Sequence, residues 1–214
     1  MGRRDAGTQG RRILCLSVTF CALFGAASAR LSIDVGGPYE AEAESHIWGE
    51  ICSQSAVDGD TLQFKSEVYV FSDHVEIDKN LGLCGAEFSE GGPLTVLEKS
   101  ESANCRFFYF SGDGGGESGV RFIAFDGNGL YASDSGGAIY CCGSFTGGVH
   151  SSIFSGNEVS YDGGAISCYN FTGGVHSSIF SGNEANWNGG AIFCGNFTGG
   201  VHSSIFSGNE ADYY

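Results

Sequence analysis

The chain has 214 residues, 36 of them Gly and only 2 Pro, with 16% charged and 42% hydrophobic residues. A Gly at about every sixth position excludes a helical bundle, since each costs roughly 1 kcal/mol in a helix interior; the hydrophobic share excludes a charge-rich disordered chain, and scarce Pro excludes collagen. Acidic residues outnumber basic ones by 25 to 10, a net charge of −15, which is the wrong sign for holding a nucleic-acid backbone by counterion release.

In chain order, residues 1–29 read as an address. Four Arg precede an apolar run from Ile13 to about Ala26, and Ala27-Ser28-Ala29 has the small residues of a cleavage site. This is the plan of a secretory signal peptide, and its apolar run is shorter than the ~20 residues of a membrane span. Removal of 1–29 takes away four Arg and one Asp. It leaves 6 basic and 24 acidic residues, a mature net charge of −18 with no membrane span expected. Seven Cys remain: Cys52, Cys84, Cys105, Cys141, Cys142, Cys168 and Cys194. An odd count leaves at least one unpaired in an oxidising compartment, and the lack of any CxxC spacing argues against zinc.

Residues 30–54 are expected to form an N-terminal cap region. Ala43, Ile47 and Ile51 fall at helical spacing, which predicts a short cap helix over 38–52. Residues 55–118 hold short β-prone runs broken by Gly and Asp, such as VDGDTLQF, VYVF, LGLCG and RFFYFSG. Residues 119–214 are dominated by repetition. The string FTGGVHSSIFSGNE stands unchanged at 145–158, 171–184 and 197–210, and GGAI stands at 136–139, 163–166 and 189–192. A unit of about 26 residues with two or three short strands, tight turns and no helix signal fits one rung of a right-handed parallel β-helix, an all-β solenoid. At that period residues 55–214 would supply about six rungs. The chain stops at NEADYY where earlier copies go on to GGAI, and the expectation is a last rung left unfinished, part of a longer protein.

Stacking places residues one period apart above each other. Ile139, Ile166 and Ile192 should then form an aliphatic ladder. Cys141, Cys168 and Cys194, two positions on, should share its inward face as buried free thiols, and the variable Tyr140, Ser167 and Phe193 should point outward. Phe154, Phe180 and Phe206 should stack, with the pattern leaving open whether Ile153 or Phe154 faces in. Asn157, Asn183 and Asn209 should form an amide ladder at a turn, where Asn tolerates the left-handed conformation. Phe125–Asn128 reads as a degenerate earlier copy of the Phe-x-x-Asn element.

The paired GGAI and Phe-x-x-Asn tetrapeptides, the latter as FSGN at 154–157, 180–183 and 206–209, resemble those of the chlamydial polymorphic membrane proteins. The run DGDTLQF…LGLCG…GGPLTV is similar to the first rungs of secreted pectin-lyase-like β-helices. The resemblance implies a surface-displayed passenger with an adhesive role, followed in that family by an outer-membrane barrel. It also implies as partner a host or neighbouring cell-surface protein or polysaccharide. Location is therefore expected to be extracellular or at the cell surface.

Catalytic chemistry finds little support. Polysaccharide lyases of this fold resemble one another in a Lys or Arg base beside acidic calcium ligands, yet no Lys or Arg occurs from Phe122 to Tyr214. Lys99, Arg106 and Arg121 come earlier, without an acidic cluster of clear spacing. Asp126, Asp134 and Asp162 read as turn residues rather than a glycosidase pair. The rows of Glu158, Glu184 and Glu210 and of His150, His176 and His202 read as repeated surface positions without a closed metal-ligand set. No cofactor, metal or enzymatic activity is expected; the alternative is a carbohydrate-active enzyme or carbohydrate-binding domain. Asn170 and Asn196 each begin a glycosylation sequon.

Overall fold

The computed structural model describes residues 32–35, 56–64, 68–86, 95–101, 103–117 and 119–213. The signal segment 1–29 and the expected helix over 38–52 lie outside the described residues. Strand β1 (Ser32–Val35) precedes a series of turns. The first holds β2 (Thr61–Phe64), β3 (Val68–Phe71) and β4 (Val75–Ile77), and the second β5 (Gly82–Cys84), β6 (Thr95–Lys99) and β7 (Phe108–Phe110). The third holds β8 (Val120–Arg121), β9 (Ile123–Ala132) and β10 (Ile139–Phe145), and the fourth β11 (Val149–His150), β12 (Ile153–Val159) and β13 (Ile166–Phe171). The fifth holds β14 (Val175–His176), β15 (Ile179–Ser181), β16 (Glu184–Ala185) and β17 (Ile192–Phe197). A sixth is begun by β18 (Val201–His202), β19 (Ile205–Ser207) and β20 (Glu210–Ala211).

Every strand pairs in parallel with its counterpart one turn away, giving three sheets that run along the stack. The first is β1-β2-β5-β8-β11-β14-β18, the second β19-β15-β12-β9-β6-β3 with β16 and β20 attached through β12, and the third β17-β13-β10-β7-β4. The molecule is thus an all-β parallel β-solenoid of about 27 residues per turn. It completes five turns and begins a sixth, in line with about six rungs of which the last is unfinished. The period is uneven in the early turns: Thr61 pairs with Gly82, but Leu83 pairs with Val120 and Val120 with Val149 before Val149 meets Val175 at the 26-residue step. Insertions before and after β6 lengthen the second turn without adding a rung.

Alternation of side chains across each strand makes the core. Inward positions are aromatic and aliphatic, among them Phe64, Phe108, Phe125, Phe154, Leu83, Val149 and Ile166, all with almost no exposed surface. At the corner before the third sheet, Gly136, Gly163 and Gly189 adopt φ of 69°, 70° and 63°, which an L side chain resists. The next residue is Gly for another reason: a Cβ on Gly164 would collide with the carbonyl oxygen of Gly190 on the following turn.

Candidate functional surface

The repeated residues lie in register along the axis. Ile139 pairs with Ile166 and Ile166 with Ile192; Cys141, Cys168 and Cys194 follow in the same register. Ile139, Ile166, Cys141 and Cys168 are buried, while Ile192 and Cys194, nearer the last turn, pack against the core half-covered. Burial pushes the Cys141 thiol up to about 12, raises Cys168 further, and also raises Cys194. These side chains are protonated thiols, poor nucleophiles and poor metal ligands at neutral pH; Cys141 Sγ donates to Gly112 O at 3.2 Å. Among the outward residues of this sheet, Tyr140 and Phe193 are half-exposed, but Ser167 is buried. Its short side chain sits between those of two larger neighbours in the same row.

Phe154 faces in and Ile153 lies half-buried. Its ring belongs to a stack of four, Phe125, Phe154, Phe180 and Phe206, with centroids 4.6, 4.7 and 4.8 Å apart and planes within 9°. A second aromatic column, Phe145 tilted on Phe171 and Phe171 stacked on Phe197, went unread in the sequence, although each is the first residue of the unchanged string.

The amide ladder runs in one direction. Asn157 Nδ2 donates to Asn183 Oδ1 at 2.9 Å and Asn183 Nδ2 to Asn209 Oδ1 at 2.8 Å, while the Asn183 and Asn209 amides also donate to Phe154 O and Phe180 O. Left-handed backbone is not what Asn supplies here: the preceding Gly156, Gly182 and Gly208 take it, at φ 57°, 58° and 60°. The early copy also differs. Phe125 pairs with Phe154, but a bulge in β9 brings Leu130, not Asn128, into register with Asn157. Asn157 Oδ1 therefore has no donor below it.

The His row stacks too. Rings of His150, His176 and His202 lie 4.9 Å apart, within 14° of parallel, and His150 follows Arg121 in register. His150 Nε2 donates to Gly147 O at 3.0 Å. Burial, then Arg121 and His176, lower its pKa. Next to each His, Ser151, Ser177 and Ser203 adopt φ of 46–49°. The following Ser hydroxyls donate back to the His carbonyls and accept from the amide of the preceding turn, as Ser152 N does to Ser178 Oγ at 3.2 Å. These serines are corner pieces rather than nucleophiles.

The residues weighed for catalysis do not converge. Arg121 is on the first sheet, whereas Asp126 starts the bulge in the second and accepts from Asn128 N. Asp134 binds Arg106 Nη2 at 2.8 Å, and Asp162 accepts from Asn188 Nδ2 at 2.8 Å. Lys99 is buried, donating to Leu130 O at 3.0 Å with its pKa lowered by desolvation to about 8. Glu158, Glu184 and Glu210 form a row in register, and no group of three or more His, Cys, Asp or Glu among the described residues is arranged to hold a metal. Asn170 and Asn196 are in register, the Asn170 amide donating to Ser144 Oγ and Asn196 exposed. Among the described residues no helix is long and apolar enough to cross a membrane.

What the geometry defines is a protein of the parallel β-solenoid class, with columns of like residues along its axis. The model of the Chlamydia polymorphic membrane protein repeat matches residues 151–169 and 177–195, so the chain carries two copies of that repeat. Each match runs from the corner serines through Phe-x-x-Asn and GGAI into the third-sheet strand of the same turn, β13 or β17. No curated protein and no solved structure was found to match the chain.

Proposed function

We propose that this is an exported, surface-displayed β-solenoid with an adhesive or structural role, and not an enzyme. The observation that carries the reading is the repetition of the same side chains on successive turns, in the repeat found in the chlamydial membrane proteins. Catalysis needs one convergent set of groups held at reacting distance; repeated columns instead present a long, regular surface. The secretory pattern of residues 1–29 supports export. The partner is a host or neighbouring cell-surface protein or polysaccharide.

The test is adhesion of beads coated with the full chain to cultured cells, beside incubation of the chain with polysaccharides with and without calcium. Saturable bead attachment supports the reading. Polysaccharide turnover that is lost on Arg121→Ala or Asp126→Ala overturns it. For export, N-terminal sequencing of secreted material is expected to begin at Arg30; an uncleaved, cell-retained chain overturns that part.

A further inference from the structure

The corner between the second and third sheets carries a column that none of the core ladders uses. After each unchanged string the sequence varies: Val-Ser-Tyr-Asp, Ala-Asn-Trp-Asn, Ala-Asp-Tyr-Tyr. The first of these residues faces inward, where Ala132, Val159 and Ala185 form a small core of their own. The third is aromatic in every copy, and packing does not require it: Tyr161, Trp187 and Tyr213 are 44%, 50% and 68% exposed. Their backbones are tied turn to turn, Trp187 N donating to Tyr161 O and Tyr213 N to Trp187 O, and the Tyr161 and Trp187 rings meet edge-on at 5.3 Å. Exposed aromatics in a row are unusual on a solvated surface and common at the centres of interfaces.

Carboxylates accompany the column. Glu158, Glu184 and Glu210 stand three residues before the aromatics, in register one turn apart, and Asp212 lies beside them. Desolvation and then Glu158, Glu210 and Asp212 raise the Glu184 pKa. The row has little internal compensation: the buried Lys99 lies within electrostatic reach of Glu158, and no Lys or Arg occurs after Arg121. Lower on the stack the protein supplies its own cation. Arg106 pairs with Asp134 at 2.8 Å and places its guanidinium 4.8 Å from the Tyr140 ring and 5.6 Å from that of Tyr109. A cation held between a carboxylate and aromatic faces is thus already part of this side of the molecule. In the later turns Tyr140 gives way in register to Ser167 and Phe193, and Tyr131 to Glu158, so the carboxylate row and the corner aromatics there form a different arrangement that has no Arg of its own.

The geometry points to this corner as a docking site for a Lys/Arg-rich segment of a partner protein, its cations seated on Tyr161, Trp187 and Tyr213 and paired with Glu158, Glu184 and Glu210. Cation–π contact and charge pairing supply the attraction, which deepens the adhesive reading by naming its site and partner chemistry. In a Trp48→Phe background Trp187 is the only indole, because the chain has 2 Trp. Deca-arginine peptide titrated into the full chain is expected to shift Trp187 emission saturably, with affinity falling as salt rises. Replacing the three aromatics by Ser, read by anisotropy of labelled peptide, is expected to weaken binding by about tenfold or more. Glu158→Gln, Glu184→Gln and Glu210→Gln together should weaken it comparably and flatten the salt dependence. Removing three charges elsewhere, at the exposed Glu76, Glu101 and Glu117, should change it by less than about twofold. Equal losses from both charge-removal sets, or full affinity in the aromatic variant, would mean general attraction to an acidic protein and overturn the site. So would a neutral glucan oligosaccharide shifting Trp187 where the peptide does not. Bead adhesion run on the same variants separates the two readings: adhesion that survives loss of the aromatics leaves the adhesive role standing without this site, while peptide binding without adhesion leaves the site standing alone.

Discussion

The early turns, up to β7, and the later ones, from β10 onward, build the same solenoid by different means. In the early turns aromatic rings meet edge to face: Phe64 with Tyr69 and Phe108, Phe71 with Phe107 and Phe108. In the later turns the inward Phe154–Phe206 column and the His150–His202 column hold their rings parallel, one residue type to a column. At the corner after the second sheet, the later turns satisfy the chain with amides that bond to one another, and the early part does so with the Lys99 ammonium on Leu130 O. The difference teaches that sequence repetition is not what closes this fold. Inward apolar residues at strand spacing are sufficient, and repetition adds columns whose members satisfy each other.

That contrast is broken most directly through glycine. Gly164→Ala puts a Cβ into the Gly190 carbonyl and against the Glu184 backbone, so the repeat turns should lose cooperative folding, at a cost above about 4 kcal/mol. Gly112→Ala in the early part meets open space and should leave the denaturation midpoint unchanged. Equal midpoints in the two variants would refute the tight turn-to-turn approach. Next in size is Asn183→Ala, which strips partners from Asn157 and Asn209 and should cost roughly 3 kcal/mol. Asn209→Ala, at the less covered end, should cost about 1 kcal/mol, and urea unfolding measures both.

Lys99→Met sharpens the comparison through pH. Because the folded pKa of Lys99 lies below its ordinary value, the unfolded chain binds the proton more tightly, and stability is lost as pH falls from about 10.5 through about 8. The variant should remove that slope and be more stable at pH 7 by an amount on the order of 2 kcal/mol; a wild-type slope persisting in the variant would show that Lys99 is not its source. Smallest is the His150→Gln effect. A lowered folded pKa means that stability is lost as pH falls below the ordinary value of 6.5, so the variant should lose less stability than the wild type between pH 6.5 and 5, by tenths of a kcal/mol.

The columns were legible in the sequence because translation by one period is all that a solenoid does to a repeated residue; Ile166, Cys168, Phe180 and Asn183 needed no further information. The uneven length of the early turns was not legible, since the long step from Leu83 to Val120 lies outside the repeated strings and carries no period to read. The left-handed corner was assigned to Asn and belongs to Gly156 and its copies, because both residue types tolerate it and only the hydrogen-bond demand of the buried amide decides between them. Ser167 showed that a variable position need not be exposed. The aromatic corner column was visible as letters, yet only the inward turn of Val159 and Ala185 shows that Tyr161 and Trp187 stand outside.

Within the repeat turns the Ile, Phe, Asn and His columns are each made of one residue meeting copies of itself. Excision or duplication of one whole 26-residue unit would therefore leave these columns chemically unaltered, changing length by a single step of about 4.8 Å. Such a molecule is graduated like a ruler: its reach can vary between lineages while its tip and its footing stay as they were.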